Sequence, residues 1–150
     1  MEESYSPKIE RLIDANLNRL KEGLRVIEDI CRYIHDDQNL TSALKSLRHQ
    51  LQESYALDRL NFRDIESDVQ KRSTQSEQQR ETLRDLIIAN FSRAEESARV
   101  LEEVFKLNDV TSSERFKTTR YQLYALEKCY FQAYLFETPR INNTSNSKQS

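Results

Sequence analysis

The chain of 150 residues contains one glycine, two prolines and no tryptophan. Average usage would give roughly ten glycines and seven or eight prolines. Phosphate-binding loops such as the Walker loop and the dinucleotide-binding GxGxxG motif need several glycines for close approach of the backbone to phosphate. Sandwiches and barrels need turn residues about every 8–12 positions. The deficit excludes these classes and predicts a helical protein, in which side chains must bind any phosphate.

Long apolar runs are also missing. No uninterrupted apolar stretch exceeds four residues, whereas a membrane-spanning helix needs about 20. The amino-terminal sequence MEESYSPK lacks the hydrophobic core of a signal peptide. A net charge of −2, from 23 basic and 25 acidic residues, gives no global attraction to nucleic acid or to an anionic membrane. We therefore expect a cytoplasmic protein that binds neither nucleic acid nor membranes.

Cysteine and histidine are few, with two of each. Cys31, Cys129, His35 and His49 show no spacing typical of metal ligands. The two cysteines are expected to be small buried thiols rather than disulfide partners or nucleophiles. A metal ion held by cysteine and histidine is therefore not expected.

What the sequence does contain is helical periodicity, in which apolar residues recur at steps of three and four. Helix starts are indicated by a serine–proline pair and by capping boxes. A long loop at about 58–75 separates the periodic stretches of the two halves. A polar tail, 138–150, follows the last of them, has almost no apolar side chains to bury and is expected to be disordered. The predicted helices extend from Ser6–Pro7 to about Cys31, over 41–57, from Thr74 or Ser76 to Lys106, and from Thr111 to about residue 136.

The two halves of the chain repeat each other. Residues 13–32, IDANLNRLKEGLRVIEDICR, align without gaps on residues 87–106, IIANFSRAEESARVLEEVFK, with eight identities. The similarity continues from LKSLRHQL at 44–51 to FKTTRYQL at 116–123. A duplicated helical hairpin predicts an all-α fold, a four-helix bundle with approximate two-fold symmetry. The predicted single domain covers 1–137, with pseudo-repeats 9–57 and 77–136.

Polar residues are repeated together with the apolar ones. Along one side of the first helix lie an asparagine, an arginine and a glutamate, and the second half repeats them. One interpretation is structural, because Arg–Glu pairs one turn apart stabilise a helix by a few tenths of a kcal/mol each. The other is a polar pocket for an anionic ligand, because arginine binds phosphate through paired hydrogen bonds. The two sets are Asn16, Arg19 and Glu22, and Asn90, Arg93 and Glu96.

The long segment at about 58–75 mixes charges of both signs. It is long for a connection within a bundle, and such loops are often functional or disordered. It is interpreted either as a solvated loop or as a lid that contacts phosphate and Mg²⁺, since magnesium prefers one or two carboxylates together with substrate phosphates. Its charged residues are Arg59, Arg63, Lys71 and Arg72, and Asp64, Glu66 and Asp68.

Seven of the thirteen aromatic residues follow residue 115. Aromatic faces of helices are usually buried, so core packing or a dimer interface is favoured over base stacking. The tract 129–136 is apolar almost all round, which is typical of a partner surface. The sequence is therefore compatible with a homodimer that forms through this face.

Gly23, the single glycine, lies inside the first helix, where glycine costs about 1 kcal/mol relative to alanine. Its partner in the second repeat is Ser97, which is also small. A small residue at this point indicates that something approaches the helix closely. Another helix is the favoured neighbour, and a ligand is the alternative.

Specific strings in the chain resemble a small helical family. They are DANLNRLKEGLRVIEDICRY, LKSLRHQL, RDIESDV, NFSRAEESARVLEEVFK and FKTTRYQLYALE, which together cover roughly residues 9–128. The family is that of the monofunctional hydroxymethylpyrimidine-phosphate kinases of bacterial thiamine biosynthesis. Its members occur alone or fused in front of thiamine-phosphate synthase, and stand-alone members can carry the synthase's name.

The resemblance implies phosphorylation of 4-amino-5-hydroxymethyl-2-methylpyrimidine phosphate to the diphosphate, with ATP and Mg²⁺. The nucleophile would be a substrate phosphate oxygen, already largely dianionic at pH 7, so catalysis would consist of positioning and charge neutralisation. The residues expected at the phosphate-rich centre are Arg19, Arg25, Arg93 and Arg99. Further substrate contacts are expected from Asn16, Glu22, Lys45, Arg48, His49, Asn90, Glu96 and Arg120, and Mg²⁺ ligands from Asp29 and Asp68.

Two other functions are weighed against the kinase. Thiamine-phosphate synthase activity itself belongs to a (β/α)₈ barrel of about 200 residues or more, and this chain has neither the length nor the strands. A non-catalytic helical dimerisation or adaptor module would explain the aromatic carboxyl-terminal helix. An adaptor has no need of the repeated Asn-Arg-Glu sets, which favours the kinase.

Overall fold

The periodic stretches of the sequence fold into α-helices. The computed structural model describes residues 2–55, 57–69 and 82–135, and no strand occurs among them. The all-α prediction is thereby confirmed. The predicted helix starts at Thr74 and Ser76, and the tail 138–150, lie outside the described residues. The α-helices are α1 (Glu2–Tyr33), α2 (Gln38–Gln50), α3 (Leu83–Phe105) and α4 (Val110–Tyr130).

Two short 3₁₀ helices, Leu51–Ser54 and Leu57–Phe62, follow α2, and a π-helical turn, Phe131–Leu135, follows α4. α1 packs against α2 and α3, and α4 packs against α3 and α2. Each half of the sequence thus forms a hairpin of two helices. The two hairpins meet through α1 and α3, which carry the strongest part of the repeat.

The starts of α2, α3 and α4 are set by capping side chains, and all three differ from the predictions. Asp37 accepts a hydrogen bond from the Leu40 amide at 2.9 Å, so α2 begins at Gln38 and ends at Gln50 rather than covering 41–57. Asp109 accepts from the Ser112 amide at 3.1 Å, so α4 begins before Thr111. In both cases an aspartate preceding the predicted start satisfies an otherwise unpaired amide of the first turn. Thr82 caps α3 in the same way, so α3 begins at Leu83, and the helix predicted from Thr74 or Ser76 to Lys106 is not continuous through residue 82.

The amino-terminal end of α1 also departs from the prediction. The helix begins at Glu2, and Pro7 lies inside it rather than at its first position. Proline has a helical φ, so residues before it can remain helical. The price is one missing backbone hydrogen bond, since proline has no N–H.

One hydrophobic core lies between the helices. The predicted apolar face of α1 is buried throughout, and Leu44, Leu47 and Leu51 bury the facing side of α2. Burial of each such side chain contributes about 1.5–3 kcal/mol, so the periodicity of the sequence also accounts for how the helices pack. The buried apolar side chains of α1 are Ile13, Leu17, Leu20, Leu24, Ile27, Ile30 and Cys31.

The aromatic residues of α4 divide between core and surface. Phe116 and Tyr130 are buried, whereas Tyr121 and Tyr124 are exposed. Cys129 is exposed as well, which corrects the prediction that both cysteines are buried. It is adjacent to Tyr130, and successive residues of a helix point in directions about 100° apart.

Gly23 lies where α1 and α3 approach each other. A Cβ atom at this position would lie 3.1 Å from the backbone oxygen of Asn90 and 3.5 Å from the Cβ of Ala94. Ala94, Ser97 and Ala98 are all small and buried on the α3 side. The close neighbour that the sequence predicts at Gly23 is therefore another helix.

The turn between α1 and α2 holds the end of α4. His35 Nε2 and the Tyr130 hydroxyl lie 2.7 Å apart, and the ring of Tyr134 stacks on His35 with 3.8 Å between centroids. The Tyr134 hydroxyl donates to Asp37 at 2.6 Å. Asp36, with φ of 51°, supplies the left-handed residue that reverses the chain. The two hairpins are thus joined at this end by polar as well as apolar contacts.

Candidate functional site

A cleft of about 670 Å³ lies between α1 and the segment 63–68, which follows the second 3₁₀ helix. One wall is a stripe of α1 residues at steps of three and four, so their side chains point to the same side of the helix. The other wall comes from a segment that is close to α1 only because the chain folds back over it. The α1 stripe consists of Lys8, Leu12, Ala15, Arg19 and Glu22, and the facing residues are Arg63, Asp64, Ile65 and Asp68.

Two parallel ion pairs hold the folded-back segment on α1. Arg63 donates from Nε and Nη2 to the two carboxylate oxygens of Asp14, at 2.8 and 2.9 Å. Arg59 Nε donates to Glu10 at 2.6 Å, and its Nη1 donates to the Ser54 carbonyl at 2.5 Å. Glu10 and Asp14 are four residues apart on α1, and Arg59, in the second 3₁₀ helix, is four residues before Arg63, at the start of the segment. These contacts fix both the position and the register of the segment.

The turn that follows Arg63 is fixed by Asp64. Its carboxylate accepts from the backbone amides of Glu66 and Ser67 at 3.1 and 2.8 Å, and from the Ser67 hydroxyl. The Ser67 hydroxyl and amide together hold the pKa of Asp64 below its usual value. Arg11 lies 3.8 Å from the same carboxylate. Residue 65 is therefore held between two anchored neighbours.

Most charges of the cleft are paired within the protein, but three are not. Asp14 and Asp64 neutralise Arg63 and Arg11. Among the side chains that the structure describes, Lys8, Arg19 and Glu22 have no ion-pair or hydrogen-bond partner, and all three are exposed. Two unneutralised cations and one carboxylate on a shared wall are suited to an anionic ligand, alone or together with a divalent cation.

The asparagines of the repeat are buried and use one amide N–H locally. Asn16 Nδ2 donates to the Leu12 carbonyl at 3.0 Å, and Asn90 Nδ2 donates to the Leu86 carbonyl at 2.8 Å. Each contact joins residues four apart on a single helix. Asn16 also lines the cleft. Its carbonyl oxygen and second N–H can therefore serve a ligand there.

Four of the predicted arginines belong to two equivalent networks instead of the cleft. In the first, Arg48 binds the buried Glu28 with Nε at 3.1 Å, and Arg25 lies 3.3 Å from Asp29. In the second, Arg120 binds the buried Glu102 with Nη2 at 2.9 Å, and Arg99 lies 3.0 Å from Glu103. Each residue of one network occupies the repeat position of its counterpart. The networks join the two helices of each hairpin.

The structure thus brings only part of the predicted set together. Of the residues expected to form the site, Asn16, Arg19, Glu22 and Asp68 line the cleft. Asp29, a predicted metal ligand, lies two turns beyond Glu22 and does not line it. Asp68 has a partner of its own within the protein. The other predicted residues outside the cleft are Arg25, Lys45, Arg48, His49, Asn90, Arg93, Glu96, Arg99 and Arg120.

The corresponding face of the second half carries fewer cations. It keeps Asn90, Arg93 and Glu96, and the latter two are exposed. At the positions that match Lys8, Arg11 and Asp14, α3 carries Thr82, Asp85 and Ile88. The position equivalent to Asp14 therefore offers no carboxylate to an arginine. The two halves share the same helical hairpin, but only the first carries the charged residues that line the cleft.

Sequence reasoning did not select Lys8, Arg11, Asp14 or Ile65 for the site. A signal existed for the first two, because Lys8, Arg11 and Arg19 lie on one side of the same predicted helix. No local signal identifies Asp14 and Ile65, whose roles depend on a contact between segments about 50 residues apart in sequence. No group of three or more metal-binding side chains occurs within the described part of the chain.

Comparison with known proteins assigns the chain to a family. The family model of the ThiD2 family matches residues 11–129, which includes α1 from Arg11 onward, the folded-back segment and most of α4. The chain belongs to the ThiD2 family. No solved structure matches it. Among the described residues, no helix is both long and apolar enough to cross a membrane.

The chain is also similar to proteins named thiamine-phosphate synthase. It is 39% identical over 126 residues to that of Thermosynechococcus vestitus, covering 83% of this chain and 36% of the relative. It is 39% identical over 128 residues to that of Synechocystis sp., covering 85% and 37%, and 37% identical over 134 residues to that of Nostoc punctiforme, covering 85% and 38%. The chain therefore spans little more than a third of the length of these relatives.

Proposed function

We propose that the chain is an enzyme of thiamine biosynthesis, a kinase that phosphorylates 4-amino-5-hydroxymethyl-2-methylpyrimidine phosphate to the diphosphate. The observation that carries this proposal is the cleft on α1, where Arg19 and Lys8 lack carboxylate partners among the described residues. Membership of the ThiD2 family and similarity to proteins named thiamine-phosphate synthase support the pathway. A volume of about 670 Å³ is of the size that holds a small phosphorylated ligand.

The chemistry of the reaction matches the residues of the cleft. A terminal phosphate oxygen of the substrate attacks the γ-phosphorus of ATP, a new P–O bond forms, and the bond to the β-phosphate oxygen breaks to release ADP. The attacking phosphate is largely dianionic at neutral pH because its second pKa is near 6. A strong general base is therefore unnecessary. The main task of the protein is to hold crowded anions in line and neutralise them.

We assign phosphate binding to Arg19 and Lys8, and magnesium to Glu22 and Asp68 together with the ligand's own phosphates. Magnesium prefers one or two protein carboxylates plus phosphate oxygens, so the absence of a three-residue cluster from the described chain is compatible with it. When bound, Mg²⁺ would neutralise charge that develops on the phosphates. Asn16 has an amide oxygen and an N–H left to orient the pyrimidine or its phosphate.

The remaining predicted arginines have a different role in this proposal. Arg25, Arg48, Arg99 and Arg120 are engaged by carboxylates that are themselves held in the hairpins. In this proposal they stabilise the two hairpins and do not contact the substrate. Arg93 lies on the face of α3 that has lost its other cations. The proposal therefore places the chemistry on the first hairpin.

The test is a coupled assay of ADP release with the purified full chain. Release should depend on the pyrimidine monophosphate, on ATP and on Mg²⁺, and the pyrimidine diphosphate should appear in equal amount. Arg19→Met should reduce kcat/KM by about 100-fold, since an interaction with a charged phosphate is worth about 3 kcal/mol. Arg93→Met, at the matching repeat position, should keep activity within about threefold. A folded protein that gives no turnover would exclude the kinase.

A non-catalytic module that accompanies a synthase is the second candidate. The relatives named thiamine-phosphate synthase are almost three times as long as the matched region, and Tyr121 and Tyr124 are exposed on α4. Such a module would bind a synthase but would show neither ADP release nor stabilisation by the pyrimidine phosphate. A ligand that binds only the native state raises its thermal midpoint. A thermal shift with the pyrimidine phosphate, compared with sulfate, separates the two functions.

A further inference from the structure

Two large apolar side chains are left exposed inside a cleft that is lined mainly by charged and polar residues. Leu12, on α1, is 42% exposed, and Ile65, on the folded-back segment, is 75% exposed. Both line the cleft, and the small side chain of Ala15 follows Leu12 on the same stripe of α1. The centre of the cleft therefore has an apolar patch on each wall, between the cations at its ends.

The exposure of Ile65 is imposed by its neighbours. Arg63 is bound to Asp14 by two hydrogen bonds, and Asp64 caps its own turn and lies beside Arg11. These contacts hold the backbone on both α1 and the following turn, so the isoleucine cannot reach the core without breaking them. A side chain held in this way is pre-organised, and a ligand gains its burial without having to order the segment.

The spacing of the cleft residues along α1 limits which ligands can fit. Lys8 lies at one end, Leu12 and Ala15 at the centre, and Arg19 at the other end. Lys8 and Arg19 are separated by about 16 Å along the helix axis, and Ala15 and Arg19 by about 6 Å. The shorter spacing is one that a phosphate joined to a ring through a methylene group can bridge. The amides of Asn16 and Asn18 lie at the same level and line the same cleft.

We infer that Leu12, Ala15 and Ile65 form a slot for a planar heteroaromatic ring, and that Arg19 binds the phosphate carried by that ring. This inference rests on the proposed function and deepens it by assigning specificity. The apolar walls cover the two faces of the ring, and the amides meet its nitrogen and amino groups. Sugar phosphates would satisfy Arg19 but leave Leu12 and Ile65 exposed. Leu12 and Ile65 are thus specificity-determining residues.

The experiment compares two phosphates by titration calorimetry with the full chain. One probe is the pyrimidine phosphate, and the other is ribose 5-phosphate, which carries a phosphate but no aromatic ring. Ile65→Ser and Leu12→Ser should each raise the Kd of the pyrimidine phosphate about tenfold, a loss of about 1.4 kcal/mol, and change that of ribose 5-phosphate less than about twofold. Arg19→Met should weaken both. Leu107→Ser, which removes an apolar side chain of similar exposure from the α3–α4 turn, should change neither.

Three results would overturn the slot. They are an unchanged Kd in Ile65→Ser, an equal loss for both probes, and no binding of the pyrimidine phosphate by the wild-type chain. Circular dichroism of each variant verifies that the fold is retained, and Ile65 is exposed enough that its replacement should not unfold the protein. If binding depends on the ring but no ADP is released, the proposed kinase activity is rejected and the slot is supported. If the wild type releases ADP but Ile65→Ser binds the pyrimidine phosphate with a normal Kd, the kinase activity is supported and the slot is rejected.

Discussion

Arg63 and Asp14, which are 49 residues apart in the chain, share two hydrogen bonds of 2.8 and 2.9 Å. The carboxylate of Asp14 is buried, with a side-chain exposure of 4%, whereas the arginine is 35% exposed. The pair converts a charged connecting segment into the second wall of the cleft. Because the buried partner is the carboxylate, removal of Arg63 leaves a buried charge without its partner. Removal of Asp14 leaves the charge of an arginine that is partly in contact with water.

Replacement of Arg63 should therefore be costly. Arg63→Met leaves the Asp14 carboxylate buried without a partner, and we expect the free energy of unfolding to fall by about 2–3 kcal/mol. Amide hydrogen exchange over 63–69 should accelerate because the segment loses its anchor. Urea denaturation and exchange monitored by mass spectrometry measure the two effects. Arg115→Met, which breaks an exposed contact with Glu53 at 3.8 Å, should change stability by less than about 0.5 kcal/mol. Equal effects of both variants would argue against an anchoring role.

The equivalent networks predict a separation of stability from substrate binding. Arg48→Met and Arg120→Met each leave a buried glutamate, Glu28 or Glu102, with one exposed arginine 3.7 or 3.8 Å away. Each should lose about 2 kcal/mol of stability, while KM for the pyrimidine phosphate stays within about threefold of wild type. Arg19→Met should show the reverse pattern, with normal stability and impaired binding. A large KM effect in Arg48→Met with unchanged stability would place that arginine at the substrate.

The contact between α1 and α3 predicts a size limit at Gly23. Gly23→Leu drives a side chain into the Asn90 backbone oxygen and Ala94, and overpacking of this kind costs about 1–3 kcal/mol. The thermal midpoint should fall, because the backbone of α3 must move away. Ser97→Ala, at the matching position of the second repeat, keeps a Cβ that the fold already holds and should remain close to wild type. A Gly23→Leu protein of normal stability would show that the helices can separate freely there.

The carboxyl groups of Glu95 on α3 and Glu127 on α4 predict a dependence of stability on pH. Burial, reinforced by the charge of Glu127, raises the pKa of Glu95 to about 8, from 4.5 in the unfolded chain. The native state therefore holds a proton that the unfolded state has released, and stability falls as pH rises from about 4.5 through 8.

Glu95→Gln, which cannot ionise, should remove part of this fall. Thermal midpoints of wild type and Glu95→Gln should agree near pH 4.5, and the variant should be more stable by a few degrees near pH 9. The exposed Glu114→Gln serves as the control, because it should parallel the wild type at every pH. Parallel curves for wild type and Glu95→Gln would contradict the raised pKa.

Sequence by itself determined the helices, the apolar face of α1 and the duplication, because these depend on residues three or four apart and on direct comparison of the halves. It identified Asn16, Arg19 and Glu22 as one polar stripe, and the structure places all three on the cleft. It also indicated a small residue at Gly23 for close approach. What it could not distinguish was the stripe of α1 from the stripe of α3, since both keep the same three residue types.

Only the tertiary structure decided which charges are available. Arg25 and Arg19 look alike in sequence, yet Arg25 faces Glu28 and Asp29, whereas Arg19 has no partner among the described residues. Local spacing accounts for the pairing of Arg25, whose partners lie three and four residues ahead of it, but Glu22 lies three residues ahead of Arg19 and does not pair with it. Long-range contacts, such as Arg48 with Glu28 and Arg63 with Asp14, neutralise further charges, and no local pattern specifies them. A charge becomes a binding group only when the fold leaves it unneutralised beside a wall of suitable shape. The folded-back segment supplies that wall, and its two ion pairs with α1 determine where it lies.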